Sequence, residues 1–401
     1  LPISSIGDIA LGGVTLRLTS TGPCTPEFDE MTLTLQPKPI TDAGPDQQVC
    51  TSAPTVSLAG SVLNAVGGVW TGGTNPFLPS SSNLNATYTP TATEIANGSV
   101  TLILTTTGNG NCLATTSSRT ISFTPAPIVD AGTNGTVCAN NAAISLNGSV
   151  TGATGGTWSG GGGTYAPNNN TLNATYTPTA AERAAGTVTL TLTSTGNANC
   201  NAVSDQVTFS ITPAPTVNAG VDQTLCSNNP VAALNGSFTI ATGGVWSGGN
   251  GSFDPSTTNM GATYTPTPAE IANGNVTLTL TTTGNGLCAA VTDDVLLTFT
   301  PAPTVNAGAD VSVCANNATV VLNGTVGGAT GGVWSGGNGS FTPNNTALNA
   351  TYTPTPAEIA NGILTLTLST TGNGDCNAVS DERVITFTPA PTVHAGVNGT
   401  V

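Results

Sequence analysis

The clearest pattern of hydrophobic and polar positions along the chain is a strict alternation that returns at regular intervals. In "LTLTLSTTG" (364–372), the three leucines would lie on one face of a strand and the threonines on the other. This period of two is typical of a β-strand with one buried face. "VITFT" (384–388) follows after a turn that begins with "NGD", so the two segments predict a β-hairpin.

Three shorter segments precede this hairpin. "VVLNGTV" (320–326) and "ALNATYTPT" (347–355) predict short strands, and "GGVWSGG" (331–337) predicts a strand with a glycine turn at each end. Short strands at intervals of about ten residues indicate a β-sandwich. We therefore predict an all-β fold.

One segment, "TPTPAEIANG" (353–362), departs from the strand pattern and predicts a single helical turn. Thr355 can cap the helix, Pro356 suits its first position, and Glu358 completes a capping box. Gly362 would end the turn. This interpretation gives the glutamate a structural role, in which it satisfies backbone N–H groups. The predicted helix-capping glutamates are Glu94, Glu182, Glu270 and Glu358.

The whole order of elements repeats every 88 residues, and a repeat of this length suits a series of small, separately folded domains. The aromatic residues that recur at this step are Trp70, Trp158, Trp246 and Trp334, and Tyr88, Tyr176, Tyr264 and Tyr352. The predicted domains are 39–126, 127–214, 215–302 and 303–390, with the last part of a repeat at 1–38 and the start of another at 391–401. From this phase we expect the chain to be a window on a longer array.

The tryptophan of each repeat lies among glycines, as in "GGVWSGGNGSF" (331–341). A phosphate-binding loop of the Walker type would need G-x-x-x-x-G-K-[ST], and this stretch has no lysine. We predict instead that each tryptophan anchors a core and that the glycines form tight turns beside it. The recurring tyrosines are predicted to serve the same cores.

Proline-rich joints such as "TPAPTV" (300–305) connect the repeats. A Pro-x-Pro joint favours extended polyproline geometry and has little slack. The sequence therefore predicts a stiff linear array of domains.

Nine cysteines fall into two series with the same 88-residue step. Two cysteines per small domain, without a C-x-x-C pair, indicate disulfides and an oxidising compartment. The early series is Cys50, Cys138, Cys226 and Cys314, and the late series is Cys24, Cys112, Cys200, Cys288 and Cys376.

Two ways of pairing these cysteines are open. Pairing within repeats gives Cys50–Cys112, Cys138–Cys200, Cys226–Cys288 and Cys314–Cys376, and it leaves Cys24 alone. Pairing across the joints gives Cys24–Cys50 and its equivalents, and it leaves Cys376 alone. The chain-entropy model gives about 4 kcal/mol for the longer loop and about 3.5 kcal/mol for the shorter one, which is too small a difference to choose between them. We favour pairing within repeats, because a small domain with a thin core gains most from an internal disulfide.

Charged residues make up 6% of the chain, against about 25% in a typical soluble protein, and the net charge is −15. A basic patch cannot form, so we expect no nucleic-acid or anionic-membrane partner. No apolar run reaches about 18 residues, so we predict no membrane span. The hydrophobic residues, 38% of the chain, are regularly placed, which favours packed structure over disorder.

The residue inventory also argues against catalysis and metal binding. The equivalents of His394, the single histidine, are aspartate or asparagine in the other repeats, which does not suit a general base. The "AGxD" turn offers Asp46, Asp222 and Asp310, but its second copy has Asn134 and no D-x-D-x-D-G loop is present. We predict no enzyme activity, no cofactor and no metal site. Carboxylates before the last strand of each repeat are expected to be solvated turn residues: Asp205, Asp293 and Asp381.

The segments "VNAGADVSVCANNATVVLNG", "GGVWSGGNGSF" and "NATYTPTPAEIANGILTLTLSTTGNGDC" resemble the Ig-like, PKD-like tandem repeats of very large secreted bacterial surface proteins. Gliding bacteria commonly export such proteins by type IX secretion. The resemblance covers nearly the whole chain. It implies Ig-like or PKD-like β-sandwiches in a linear array, located outside the cell or on its surface, in a stalk, adhesin or filament.

Two functional hypotheses follow from the repeat and the resemblance. The first is a non-enzymatic structural region of an extracellular filament or cell-surface appendage. Its identical modules would associate laterally with copies of the same chain through regularly spaced contacts. The second is an adhesin whose repeats bind a glycan or a protein on another surface.

Overall fold

The computed structural model describes residues 12–394 and 396, so parts of the predicted terminal segments 1–38 and 391–401 lie outside the described residues. The chain divides into two compact units, Leu1–Thr212 and Pro213–Val401. Both units are built from short strands with a few helical turns, which confirms the predicted all-β class.

The strands of the first unit are β1 (Gly13–Thr19), β2 (Phe28–Thr34), β3 (Ile40–Asp42), β4 (Gln47–Cys50), β5 (Val56–Ser57), β6 (Ser61–Leu63), β7 (Gly67–Thr71), β8 (Thr87–Tyr88), β9 (Ser99–Thr107), β10 (Thr116–Thr124), β11 (Ile128–Asp130), β12 (Gly135–Cys138), β13 (Ile144–Ser145), β14 (Ser149–Thr151), β15 (Gly155–Ser159), β16 (Thr164–Ala166), β17 (Thr175–Thr177), β18 (Thr187–Thr195) and β19 (Ser204–Thr212). In the described part of this unit, from residue 12 onward, the helices are α1 (Ala92–Ala96) and α2 (Ala180–Ala185).

The strands of the second unit are β20 (Thr216–Asn218), β21 (Gln223–Cys226), β22 (Ala232–Ala233), β23 (Ser237–Thr239), β24 (Gly243–Ser247), β25 (Ser252–Asp254), β26 (Thr263–Thr265), β27 (Asn275–Thr283), β28 (Thr292–Thr300), β29 (Thr304–Asn306), β30 (Val311–Cys314), β31 (Val320–Val321), β32 (Thr325–Gly327), β33 (Gly331–Ser335), β34 (Ser340–Thr342), β35 (Thr351–Thr353), β36 (Ile363–Thr371) and β37 (Ser380–Thr388). Its helices are α3 (Pro268–Asn273) and α4 (Pro356–Asn361).

Each of the four full repeats contains one four-stranded sheet built around the long hairpin. In 127–214 the strand order is β12-β19-β18-β15, with β18 and β19 antiparallel. β12 runs parallel to β19 and places Cys138 opposite Thr212 at the end of the repeat. The same order recurs as β4-β10-β9-β7, β21-β28-β27-β24 and β30-β37-β36-β33. The parallel strand was not predicted, and it determines where the early cysteines lie.

Smaller sheets complete each repeat. In 303–390 they are β31-β35-β34 and β29-β32, so the predicted single strand 320–326 is wrong. The segment changes sheets at Gly324, where a Cβ would lie 2.9 Å from Cζ2 of Trp334. The chain must bend over the indole ring at this point, and only glycine leaves enough room. The predicted strand 347–355 shortens to Thr351–Thr353, because a turn precedes it in which the backbone N–H of Ala350 donates to the carbonyl oxygen of Ala347 at 3.0 Å.

Among the described residues, four separate clusters of buried side chains form the cores, and each lies within one sequence repeat. The tryptophans are at most 1% exposed, and the recurring tyrosines are fully buried. Large aromatic rings supply much of the apolar area that such a small core can bury. The anchor residues at the centres of the cores are Trp70, Trp158, Trp246, Trp334, Tyr88, Tyr176, Tyr264 and Tyr352.

Candidate functional site

Within each unit, a disulfide joins two cysteines that are 150 residues apart. Cys50 is bonded to Cys200 with a Cα–Cα distance of 4.9 Å, and Cys226 is bonded to Cys376 with a Cα–Cα distance of 5.0 Å. Both distances lie in the ordinary range for a disulfide. Each bond connects the early cysteine of one repeat to the late cysteine of the next repeat.

This pairing overturns both predicted schemes, and strand direction gives the reason. Because β4 runs parallel to β10, Cys50 lies opposite Thr124 at the end of its repeat. Cys112 lies in the turn before β10, and the length of that strand puts the two cysteines about 25 Å apart. A disulfide needs Cα atoms within about 7 Å. The predicted bond Cys50–Cys112 is therefore impossible in this fold, and its three equivalents fail for the same reason.

The cross-joint pairs fail too, because Cys24, Cys112 and Cys314 are free and because Cys200 and Cys226 are bonded to other cysteines. Cys138 and Cys288 are disulfide-bonded, as predicted for these two residues, but not to the predicted partners, because Cys200 and Cys226 have other partners. Among the described residues, the free cysteines are Cys24, Cys112 and Cys314. The prediction that Cys112 and Cys314 form disulfides is therefore wrong for this chain.

The joint between repeats 39–126 and 127–214 in the first unit is short, and residues of both repeats contact its linker. Residues 125–127 separate β10 from β11, and the backbone N–H of Ala126 donates to Oγ1 of Thr51 at 2.8 Å. A Cβ on Gly152, whose φ is +72°, would lie 2.5 Å from the carbonyl oxygen of Ala126. Asn199 Nδ2 donates to the carbonyl oxygen of Gln48 at 2.7 Å. The linker, the disulfide and this hydrogen bond therefore all act on the same joint.

The joint of the second unit uses a reciprocal pair of asparagines. Asn228 Nδ2 donates to the carbonyl oxygen of Asn377 at 2.9 Å, and Asn377 Nδ2 donates back to the carbonyl oxygen of Asn228 at 2.9 Å. Asn229 Nδ2 adds a bond to the carbonyl oxygen of Asp375 at 3.2 Å. Neutral amides fix orientation by the direction of their hydrogen bonds, so this joint needs no ion pair.

The glycine-rich stretch cradles an anion, but the anion belongs to the protein. The carboxylate of Glu270 accepts hydrogen bonds from the backbone N–H of Asn250 at 2.6 Å, from the hydroxyl of Tyr264 at 2.8 Å and from the backbone N–H of Thr267 at 2.7 Å. The glycines permit this approach: a Cβ on Gly249 would lie 2.0 Å from the Tyr264 hydroxyl oxygen. The glutamate thus caps its helix and also fixes the loop beside the tryptophan.

The same arrangement recurs in all four repeats, with capping boxes at Thr91, Thr179, Thr267 and Thr355. Burial alone would raise the pKa of Glu94, but the hydrogen bonds from Thr91, Thr74 and Tyr88 lower it to about 2. The pKa of Glu182 is lowered to about 2 by equivalent donors, which outweigh burial. Burial, followed by the hydrogen bond to Glu182, raises the pKa of Tyr176 to about 12. The carboxylates are therefore ionised structural anchors.

The candidate calcium ligands are occupied as hydrogen-bond acceptors. Asp46 Oδ1 accepts from the backbone N–H of Thr120 at 2.7 Å, and Asn134 Oδ1 accepts from Thr208 at 2.7 Å in the next repeat. An amide and a carboxylate both supply the required oxygen, which explains why either residue serves. Across the described residues, no group of three or more histidine, cysteine, aspartate or glutamate side chains is arranged to hold a metal ion.

The acidic residues that were expected in solvated turns lie at the starts of strands instead. Asp205, at the start of β19, accepts from the backbone N–H of Ala131 at 2.8 Å, and this bond lowers the pKa of its carboxyl. Asp293 and Asp381 accept equivalent bonds from Ala219 and Ala307. These side chains hold the first strand of a repeat to its last strand.

Two buried arginines were missed from the sequence. Arg119 is 2% exposed and Arg383 is 8% exposed, whereas the same position is Val207 and Val295 in the two middle repeats. Burial lowers the pKa of the Arg119 guanidinium, and the charges of Asp46 and Asp42 oppose that effect. The sequence does carry a signal for these two residues: each arginine is at a position where the alternation of its strand predicts an inward-facing side chain.

No helix in the described part of the chain has the length and apolar character that crossing a membrane requires. No protein-family model and no curated protein sequence matches the chain.

Several solved structures of tandem extracellular domains are similar to the chain. Protocadherin gamma B2 extracellular cadherin domains 1–5 are 12% identical, with 96% of this chain and 87% of that chain covered and a TM-score of 0.30. Mouse cadherin-23 EC22–24 is 14% identical, with 66% and 99% covered and a TM-score of 0.32. Sidekick-1 immunoglobulin domains 1–5 are 12% identical, with 94% and 86% covered and a TM-score of 0.24. Because these identities and TM-scores are low, we assign the β-sandwich from the strand pairing of this chain and not from the similarity.

Proposed function

We propose that the chain is a non-enzymatic structural repeat region of an extracellular filament or cell-surface appendage, in which disulfides carry tension past the joints between domains. The observation that carries this proposal is the bond from Cys50 to Cys200. It connects the far end of one repeat to the near end of the next, beside a three-residue linker.

The covalent path through a stapled pair of repeats is very short. It enters along 39–50, crosses the disulfide to Cys200, and leaves along β19, which ends at Thr212. β4 and β19 are already extended strands, so pulling gains little length from them. The intervening residues, including the proline linker, are bypassed and carry no load. The second unit has the same path through Cys226 and Cys376.

The disulfides support an extracellular location, and the low content of charged residues supports assembly from repeated modules. Disulfides persist in oxidising compartments, and this chain forms them at regular spacing. The resemblance to giant secreted bacterial surface proteins, which type IX systems export, agrees with that setting. With 6% charged residues, identical modules can pack against copies of the same chain with little repulsion.

Single-molecule force spectroscopy on the full chain tests the proposal. Each disulfide locks 150 residues, so full reduction should add up to about 540 Å of extensible length per bond in the two units. A variant with serine at Cys50, Cys138 and Cys226 should show the longer length without reductant. The matched control carries serine at Cys24, Cys112 and Cys314 and should keep the short length. Equal lengths before and after reduction would contradict a load-bearing role.

A further inference from the structure

The position occupied by the two buried arginines is a valine in the middle repeats, and a groove opens there. In 303–390, Arg383 Nη1 donates to the carbonyl oxygen of Val321 at 3.2 Å. A Cβ on Gly308 would lie 3.7 Å from both Arg383 Nη1 and the carbonyl oxygen of Asn323. The guanidinium therefore lies against a wall formed by Gly308, Val321 and Asn323.

The equivalents of these three residues line a groove of about 390 Å³ in 127–214. They are Gly132, Ser145 and Asn147, each 176 residues earlier in the sequence. The residue in place of the arginine is Val207, which is fully buried and does not line the groove. The wall that contacts a guanidinium in one repeat thus lines an open groove in another.

Two further features of this groove suit a cation. Asp130 and Phe209 both line it, so a carboxylate and an aromatic ring lie beside the wall that contacts the arginine elsewhere. The ring is accommodated because residue 135 is glycine: a Cβ there would lie 2.9 Å from Cε1 of Phe209. An arginine over an aromatic face gains cation–π attraction in addition to its charge interactions.

The corresponding groove in 215–302 is larger, about 690 Å³, but the carbonyl oxygen equivalent to that of Val321 already accepts a hydrogen bond there. Gln223 Nε2 donates to the carbonyl oxygen of Ala233 at 2.9 Å, which is the equivalent of the bond that Arg383 makes. Residue 135 has no side chain with which to make that bond in 127–214. A side chain of the repeat itself therefore bonds to this carbonyl oxygen in 215–302, whereas residue 135 cannot do so in 127–214.

We propose that the groove of repeat 127–214 binds the guanidinium group of an arginine side chain supplied by a partner protein. Arg383 shows the mode of binding: the equivalent arrangement in 127–214 would place one N–H on the carbonyl oxygen of Ser145 and the guanidinium beside Gly132. Asp130 supplies the counter-charge and Phe209 supplies the ring.

The test uses the full oxidised chain and Nα-acetylarginine amide as the probe, followed by NMR of the backbone amides of Gly132 and Gly135. We expect saturable shifts there. The neutral isostere Nα-acetylcitrulline amide should bind about tenfold more weakly, because it lacks the charge on which the cation–π contact depends. Equal binding of the two probes, or no saturable shift with the arginine probe, would overturn the proposal.

Variants copied from the other repeats locate the site. Val207→Arg should fill the groove with a tethered guanidinium and abolish the shifts, whereas the matched variant Val295→Arg should leave them unchanged. Phe209→Leu, which introduces the residue found at 297, should weaken binding without filling the groove, so it tests the site even if Val207→Arg does not fold. Undiminished binding in Phe209→Leu and in a folded Val207→Arg would refute the site.

Discussion

Cys50 bonds to Cys200 because a parallel strand pair carries Cys50 to the end of its repeat, where the turn before β19 of the next repeat lies. This disulfide, like the one between Cys226 and Cys376, therefore spans a joint and closes a loop of 150 residues. A disulfide inside one repeat would have stabilised that domain only. The observed one makes the mechanical continuity of two domains independent of their linker.

The first prediction concerns the number of free thiols. The native oxidised chain should contain three reactive thiols, at Cys24, Cys112 and Cys314. Pairing within repeats would leave one. Alkylation under denaturing, non-reducing conditions followed by mass spectrometry counts them directly. Recovery of a peptide that links Cys50 to Cys112 would contradict the structure.

The second prediction concerns acid. The folded-state pKa of Glu94 and Glu182 is about 2, below the ordinary value of 4.5. A carboxyl with a lowered pKa stabilises the fold above its unfolded value, and this stability is lost as pH falls through the folded value. Unfolding by urea should therefore become easier from about pH 4.5 down to about pH 2.

Glu182→Gln supplies the control for this acid effect. The variant should be less stable at pH 7, because a glutamine cannot accept all of the bonds that the carboxylate accepts from Thr179, Tyr176 and Gly162. Its loss of stability between pH 4.5 and pH 2 should be smaller than that of the native chain. An identical pH dependence in both proteins would show that this carboxylate does not contribute.

The third prediction concerns the glycine loop. Gly249→Ala should destabilise repeat 215–302 by about 2 kcal/mol or more, because residue 249 has φ +65° and its Cβ would meet the Tyr264 hydroxyl. Gly261→Ala is the matched control, since no atom lies within 3.4 Å of its Cβ position and its φ is not positive. The rates of amide hydrogen exchange in β25 and β26 measure the loss of stability in each of the two variants. Equal protection in the two variants would exclude the proposed close contact.

The fourth prediction concerns the buried arginine. Nε and Nη2 of Arg119 have no hydrogen-bond partner among the described residues. Replacing a buried charge by an apolar residue often stabilises a protein by about 1 kcal/mol or more, and valine occupies this position in two other repeats. Arg119→Val should therefore slow hydrogen exchange in β10.

Arg383→Val is the comparison for this substitution. Arg383→Val should stabilise the protein less than Arg119→Val does, because it removes the hydrogen bond from Arg383 to the carbonyl oxygen of Val321. Faster exchange in β10 of Arg119→Val than in the native chain would show that the guanidinium is well compensated where it lies.

Local sequence determined much of this protein. The alternation in 364–372 predicted β36, and the sequence Thr-Pro-Ala-Glu predicted the capped helix at 356–361, because both patterns depend on residues a few positions apart. The 88-residue step gave the repeat, and the surroundings of Trp334 indicated its burial.

Tertiary structure decided the features that join distant residues. The disulfide partners depend on the direction of β4 beside β10, and no spacing of cysteines reveals that direction. The bond from Asn250 to Glu270 spans 20 residues and forms only when the loop folds over the helix. The groove lined by Gly132, Ser145 and Asn147 lies in a repeat where the inward arginine is replaced by valine while the order of the strands stays the same. Short-range patterns fix the strands and caps, whereas contacts between strands far apart in sequence fix the joints and the groove.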